Sequence, residues 1–148
     1  MSALSLQSID AAVSGANVWI NEVNRRAGWD NKQRSYRLLR QVLHVLRDHL
    51  CVGEAAQLGA QLPTMIRGIC YEGCTPSKNP EIESAAEGFI ARIQDAFEPD
   101  PLGNPEDAIA AVVDVLDAHS SEGEWMTSKA RFQRRSGYYL EFPPKHTH

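Results

Sequence analysis

The segment that decides the fold runs from Tyr36 to Leu50 and reads YRLLRQVLHVLRDHL. Its apolar residues recur at alternating steps of three and four, which places their side chains on one face of an α-helix. The members of this face are Tyr36, Leu39, Leu43, Leu46 and Leu50, widened by Leu38, Val42 and Val45. We expect this helix to lie at the centre of the hydrophobic core.

Helical spacing continues on both sides of this segment and predicts an all-α fold. A first helix is expected from about Ile9 to Ala27, because apolar residues share one of its faces and Gly28 follows as a stop signal. The second helix is expected to open at Asp30, whose spacing to Gln33 is that of a capping box, and to end near Leu50. Alternation of period two, which would indicate a strand, is not convincing anywhere before the C-terminal tail.

Two short helices are expected next. The first covers about 52–60, and the second opens at Pro63, since proline at the first helical position loses no needed hydrogen bond. Gly73 ends the pair. The following segment, about 74–80, contains proline, serine, lysine and asparagine and has the composition of a linker.

Beyond this linker the pattern of the first half begins again, because the chain resembles itself when it is shifted by about seventy residues. The shift superposes Trp19–Ile20 on Phe89–Ile90, Val42 on Val112, Val45 on Val115, Leu46 on Leu116 and His49 on His119. We therefore expect one helical domain built as a bundle of two tandem repeated units. Repeat one covers about 7–73, repeat two about 81–135 and an extended tail 136–148.

The second unit is expected to hold a helix over about 82–97 and another that Asn104 caps, with Pro105 at its first position. Its buried face would consist of Ile109, Val112, Val113 and Leu116. The tail carries aromatic residues and a Pro-Pro pair, a composition suited to an extended segment laid over an apolar groove. That groove would belong to its own domain or to a neighbouring subunit.

Size and composition favour one compact domain, since 148 residues with 43% hydrophobic content suffice for a single core. The net charge of -4 argues against a chain that works mainly by coating itself with nucleic acid or anionic lipid. No run approaches the roughly 18 apolar residues that span a bilayer, and no export signal is recognised. Cys51, Cys70 and Cys74 are too few for a disulfide framework, so we expect reduced thiols and a cytoplasmic location.

Three stretches of this sequence resemble the bacterial family catalogued as domain of unknown function 2267. They read WINEVNRRAGW over 19–29, YRLLRQVLHVLRDHL over 36–50 and GEAAQLGAQLPTMIRGICYEG over 53–73. The resemblance implies a small helical domain and brings no established activity, cofactor or catalytic residue. It weakens after about Pro80, and KARFQRRSG stands over 129–137 where the family repeats its short helix pair, so we expect the second unit to be degenerate at its C-terminal end.

Residues suited to catalysis or metal binding do not form a recognisable motif. There is no nucleophile elbow and no glycine-rich phosphate loop, which argues against an enzyme. Cys70 and Cys74 lack the second cysteine pair of a zinc site, so they are interpreted as structural thiols, and no cofactor or metal is expected. His44 and His49, five residues apart, fall on different faces of their helix and are expected at the surface or rim.

Charge is distributed unevenly, and a basic face on the second helix is the best candidate binding surface. Basic residues dominate 25–47, whereas acidic residues dominate 79–124. The candidates are Arg37, Arg40, His44 and Arg47 along the second helix, with Arg25 and Arg26 at the end of the first. A solvated polar face is the simplest interpretation. Nucleic-acid phosphate would be a suitable ligand, although the acidic second half would repel it.

The function predicted from these observations is a non-enzymatic helical module that contacts another protein or acts as a scaffold. The basic first repeat and the acidic second repeat could complement each other within one chain, or head to tail between two copies, which would be a form of self-association. The alternatives are a nucleic-acid-associated regulator that uses the basic face of the second helix, and a helical bundle that binds a small molecule or a metal. No membrane partner is expected.

Overall fold

The structure is a computed structural model that describes residues 3–78, 85–120, 123–136 and 140. Within these ranges the chain forms seven α-helices and one turn of 3-10 helix over Pro76–Lys78, without a strand. The helices are α1 (Ala3–Ala27), α2 (Lys32–His49), α3 (Val52–Ala60), α4 (Thr64–Tyr71), α5 (Ala85–Asp95), α6 (Pro105–His119) and α7 (Glu124–Ser136). The all-α prediction is confirmed.

Helix α2 lies at the centre of the molecule and contacts α1, α3, α4, α5 and α6. The leucines that predicted this position are buried, since Leu39, Leu43 and Leu46 are at most 1% exposed. Leu116 of α6 is fully buried as well. Tyr36 departs from the prediction, because it stands on the outer edge of the apolar face and is 36% exposed.

Helix α1 begins at Ala3 rather than near Ile9. Burial along this helix starts only at Ala16, and the earlier apolar residues Leu6, Ile9 and Val13 are exposed. The apolar pattern therefore marked where α1 meets the core, not where the helix starts. The segment before Ala16 contains no proline, so local hydrogen bonding can continue the helix outward without tertiary burial.

Asn31, not Asp30, caps α2. The side chain of Asn31 accepts a hydrogen bond from the backbone N–H of Arg34 at 3.0 Å, and its own backbone is extended. Asn24 of α1 explains the register, because its side-chain oxygen accepts from the N–H of Asn31 at 3.1 Å and from the Ser35 hydroxyl at 2.8 Å. The predicted capping box at Asp30 and Gln33 is wrong, since this contact between α1 and α2 places the cap one residue later.

Helices α3 and α4 form the short pair that the sequence predicted. Glu54 in the first turn of α3 accepts from the backbone N–H of Cys51 at 2.9 Å. Pro63 is the N-cap residue of α4 and has an extended backbone, whereas the sequence predicted it as the first residue of that helix. Gly73 follows α4 with a positive φ of 69°, a conformation that glycine adopts without strain.

The second half packs against α1, α2 and α3. Phe89, Ile93 and Phe97 of the α5 region are fully buried. Helix α6 has the predicted cap, since the side chain of Asn104 accepts from the N–H groups of Glu106 and Asp107. The part of the predicted fifth helix before 85 lies outside the described residues.

Helix α7 covers most of the segment in which the sequence predicts a degenerate second unit, and it packs on α3. Its end is fixed by Arg135, which donates to the carboxylate of Glu54 and to the carbonyl oxygen of His49 at 2.8 Å. Leu140 is buried and its N–H donates to Gln133. The prediction of an extended tail otherwise falls outside the described residues.

The proposed seventy-residue repeat superposes residues with both similar and different surroundings. Trp19 and Phe89 are both buried. His49 is buried, with its ring tilted against Phe89 and edge-on to Phe132, whereas His119 is exposed at the end of α6. The division into tandem units remains a prediction. No helix in the described part of the chain is long and apolar enough to cross a membrane.

Candidate functional site

The predicted basic face separates into residues that hold the fold together and residues that line an open groove. Arg25 and Arg26 belong to neither group. Arg25 is exposed and lies 3.9 Å from Glu22 on its own helix, while Arg26 is half-buried at the end of α1. These two arginines are not among the residues that line the groove.

Arg47 is buried and organises the end of α4. Its guanidinium donates to the carbonyl oxygens of Cys70 at 2.8 Å and Glu72 at 2.6 Å, which are at the carboxyl end of that helix. It also pairs with Asp48 at 2.8 Å, and Asp48 accepts from Arg92 of α5 at 2.9 Å. A positive charge at a helix C-terminus is favourable. Arg47 is therefore a structural residue, and its predicted place on a solvent-facing surface is wrong.

His44 also contacts the end of α4. Its Nε2 lies 2.7 Å from the carbonyl oxygen of Ile69, so Nε2 carries the hydrogen and donates it. Burial lowers the pKa of His44, and the nearby charges of Arg47 and Arg40 lower it further, outweighing the bond to Ile69. His44 is therefore neutral near pH 7 and adds no charge to the face.

His49 departs from its predicted surface position. It is 4% exposed, and its Nδ1 lies 2.8 Å from the carbonyl oxygen of Val45 one turn earlier. Its Nε2 is buried without a hydrogen-bond partner among the described residues. The last turn of α2 is enclosed by α5 and α7, which helical spacing within α2 alone does not reveal.

Arg37 and Arg40 remain as side chains that face an open groove of about 540 Å³. The lining is completed by Gln33, Tyr36 and Glu72. Four of these residues stand on α2 at relative positions 1, 4, 5 and 8, the spacing of one helical face, and Glu72 comes from the end of α4. We call these five residues the α2 groove.

The two arginines of the α2 groove differ in their partners. Arg40 donates through Nε to the Glu72 carboxylate at 2.9 Å, and both side chains are about half exposed. The Arg37 guanidinium lies over the ring of Phe97 at 5.5 Å. Within the described ranges, no carboxylate is in ion-pair distance of Arg37. The described part of the chain thus leaves the charge of Arg37 uncompensated.

Arg34 fixes the wall next to the groove. Its guanidinium lies over the rings of Trp29 at 4.7 Å and Phe97 at 5.1 Å. It donates to the Asp100 carboxylate at 2.8 Å and to the carbonyl oxygen of Pro101 at 3.0 Å. These contacts tie the loop after α5 to α2 and hold the ring beneath Arg37 in place.

The sequence predicts Arg37 and Arg40 as binding residues, but not Gln33, Tyr36 or Glu72. The spacing of Gln33, Tyr36, Arg37 and Arg40 was a usable signal, because those positions share one helical face. Tyr36 was assigned to the core instead. Glu72 is far from α2 in sequence, so only the packing of α4 on α2 brings its carboxylate to Arg40.

Ion pairs between the two halves run in both directions. Arg34 of the first half meets Asp100 of the second, whereas Asp48 of the first half meets Arg92 of the second. Glu22 likewise pairs with His119. Among the described residues, the uneven charge of the sequence therefore does not translate into one basic surface packed on one acidic surface inside the molecule.

A second concavity is apolar and lies between α3 and the end of α4. It has a volume of about 220 Å³ and is lined by Val52, Ala55, Ala56, Tyr71, Cys74 and Pro76. The three cysteines are free. Burial raises the pKa of the neighbouring Cys70 to about 12, so this thiol is not a nucleophile at neutral pH.

Comparison with known proteins gives a family without a described activity. A family model described as an uncharacterized conserved protein, DUF2267, matches residues 16–135. This range includes every residue of the α2 groove. No curated protein matches the chain.

Proposed function

The chain belongs to the DUF2267 family of uncharacterized conserved proteins, and we propose that it is a non-enzymatic interaction module whose α2 groove takes up part of a partner protein. This proposal depends on one observation: Arg37, Arg40 and Tyr36 lie on the same helical face, and all three line the open groove. Arginine and tyrosine are enriched among the residues that dominate binding energy in protein interfaces.

The rigidity of the surrounding structure supports this proposal. Arg34 holds the loop after α5 on α2, and Arg47 holds the end of α4, where Glu72 lines the groove. A preformed surface loses less conformational entropy on binding than a mobile one. The free cysteines fit a reducing compartment, and we propose that this contact takes place in the cytoplasm.

Binding of nucleic acid has less support from the same site. Among the six basic residues that the sequence nominated, only Arg37 and Arg40 line the groove. Proteins that depend on phosphate contacts usually neutralise several phosphates with an extended set of cations. Glu72 adds a negative charge to this small set.

Site-specific photo-crosslinking in the native host tests the proposed function. A photoreactive phenylalanine analogue would replace Tyr36, and a control would carry it at Met126 of α7, because both native side chains are 36% exposed. We expect a protein adduct from position 36 that is absent from position 126. The double substitution Arg37→Glu and Arg40→Glu should abolish it. Identical adducts from both positions, or adducts that survive charge reversal, would contradict the proposal.

A further inference from the structure

We propose that the α2 groove recognises the carboxylates of an acidic peptide segment, and that Glu72 is a built-in competitor which such a carboxylate displaces from Arg40. This inference rests on the proposed function for the choice of surface. It adds the chemical class of the partner segment, and it identifies the contact between Arg40 and Glu72 as one that lowers the affinity of the groove for that segment. Charge complementarity between the two arginines and an acidic segment is the reason for this occupant.

Arg40 already shows which group the groove accepts. Its Nε donates to the carboxylate oxygen of Glu72 at 2.9 Å, with 41% of the Arg40 side chain and 50% of the Glu72 side chain exposed. Guanidinium groups form planar, directional pairs with carboxylates. An exposed pair of this kind contributes little to stability. A carboxylate from a partner can therefore replace that of Glu72 at small cost.

The Glu72 side chain can leave without a rearrangement of the backbone. Arg47 holds the carbonyl oxygen of Glu72 at 2.6 Å, so the chain position is fixed independently of the carboxylate. His44 Nε2 lies 3.9 Å from that carboxylate. Because burial lowers the pKa of His44, the imidazole is neutral near pH 7 and holds the carboxylate only weakly.

Arg37 supplies the second contact. Its guanidinium lies over the ring of Phe97 and meets no carboxylate in the described part of the chain. Arg37 and Arg40 are three residues apart on a helix, so their Cβ atoms are about 5–6 Å apart. Alternate side chains of an extended peptide are separated by about 7 Å. A Glu-x-Glu segment therefore places one carboxylate on each arginine, beside the ring of Tyr36.

Fluorescence anisotropy with a labelled peptide of sequence Gly-Glu-Tyr-Glu-Gly tests the inference, and Gly-Gln-Tyr-Gln-Gly is the neutral control. We expect the wild-type protein to prefer the acidic peptide. Glu72→Gln and Glu72→Ala should each bind it about 2- to 5-fold more tightly, because the internal competitor is removed. Arg37→Gln should weaken binding, whereas Arg134→Gln, at an exposed position on α7, should not change it.

Several outcomes would overturn the inference. These are equal binding of the two peptides, no binding to any variant, Glu72 variants that bind no more tightly than wild type, or a single-stranded oligonucleotide that outcompetes the acidic peptide. Thermal melts confirm that each variant is folded. A distinct result is a crosslinked adduct at Tyr36 that depends on Arg37 and Arg40 while the Glu72 variants bind the acidic peptide no more tightly than wild type. In that case Glu72 does not compete with the partner, and the proposed function stands. Failure of the crosslinking experiment alone would contradict the function.

Discussion

The ring of Tyr71 lies directly against the backbone of Gly59, and its hydroxyl donates to the carbonyl oxygen of Ala55 at 3.2 Å. A Cβ at position 59 would approach the Tyr71 hydroxyl oxygen to 2.5 Å and two ring carbons to 2.9 Å. Glycine at this position is therefore required for the contact between α3 and α4.

Gly59→Ala should destabilise the protein by about 1–3 kcal/mol, because the Tyr71 ring must move and lose its packing. Gly68→Ala is the matched control, since it also lies in a short helix and its Cβ would meet nothing within 4 Å. That control should gain about 0.5–1 kcal/mol from helix propensity alone. Urea unfolding measures both, and equal stabilities of the two variants would contradict the role of Gly59.

Substitutions at the start of α2 test which residue is the cap. Asn31→Ala should cost about 1 kcal/mol, because the N–H of Arg34 loses its acceptor. Asp30→Ala should change stability by less than about 0.5 kcal/mol, as expected for an exposed residue without a special role. Thermal unfolding distinguishes the two. A larger loss of stability for Asp30→Ala than for Asn31→Ala would show that Asp30 caps the helix, as the sequence predicted.

Arg47 and Arg40 stand two turns apart on α2 but should respond very differently to replacement by methionine. Arg47→Met should cost about 3 kcal/mol, because two carbonyl oxygens at the end of α4 lose their donor and the buried Asp48 carboxylate loses one cationic partner while keeping Arg92. Arg40→Met removes an exposed pair and should cost at most about 1 kcal/mol. Comparable losses in chemical denaturation would show that Arg47 is not the structural residue.

His44 gives the folding free energy a defined pH dependence. Its pKa in the folded protein lies below the ordinary 6.5, so the unfolded chain takes up a proton first as the pH falls. The neutral form therefore gives full stability above pH 6.5, and stability is lost as the pH falls from there toward the folded-state pKa. His44→Gln keeps a donor for Ile69 but does not titrate.

Between pH 7.5 and pH 5, the unfolding free energy of the wild type should therefore fall relative to that of His44→Gln. The loss should be on the order of 1 kcal/mol for each pH unit that separates the pKa of His44 in the folded protein from that in the unfolded chain. Unfolding curves at several pH values measure this difference. Parallel pH profiles would mean that His44 does not titrate differently in the folded and unfolded states.

The sequence predicted those elements whose signals are local. Leu39, Leu43 and Leu46 carry helical spacing, and Asn104 followed by Pro105 marks a helix start, so both features were found. The wrong assignments arose where another part of the chain decides the outcome. Asn24 sets the cap at Asn31, and α5 and α7 bury His49 at a position that resembles a polar helix end.

The candidate site shows the same division between local and distant information. Arg37 and Arg40 were found because a basic stripe on one helix is visible in the sequence. Glu72 was not found, because its carboxylate reaches Arg40 only after α4 has packed on α2. Arg47 was assigned to the same stripe, although packing converts it from a surface charge into the anchor of the end of α4.

The contacts of α1 with α6 and of α3 with α7 have a consequence for synthesis of the chain. Trp19 on α1 stacks with His119 at 4.7 Å, and Glu54 on α3 pairs with Arg135 at 3.0 Å. A nascent chain that has left the ribosome only as far as Lys78 thus lacks the covering that α6 and α7 provide. Truncation at this point should yield an aggregation-prone fragment rather than a smaller stable domain.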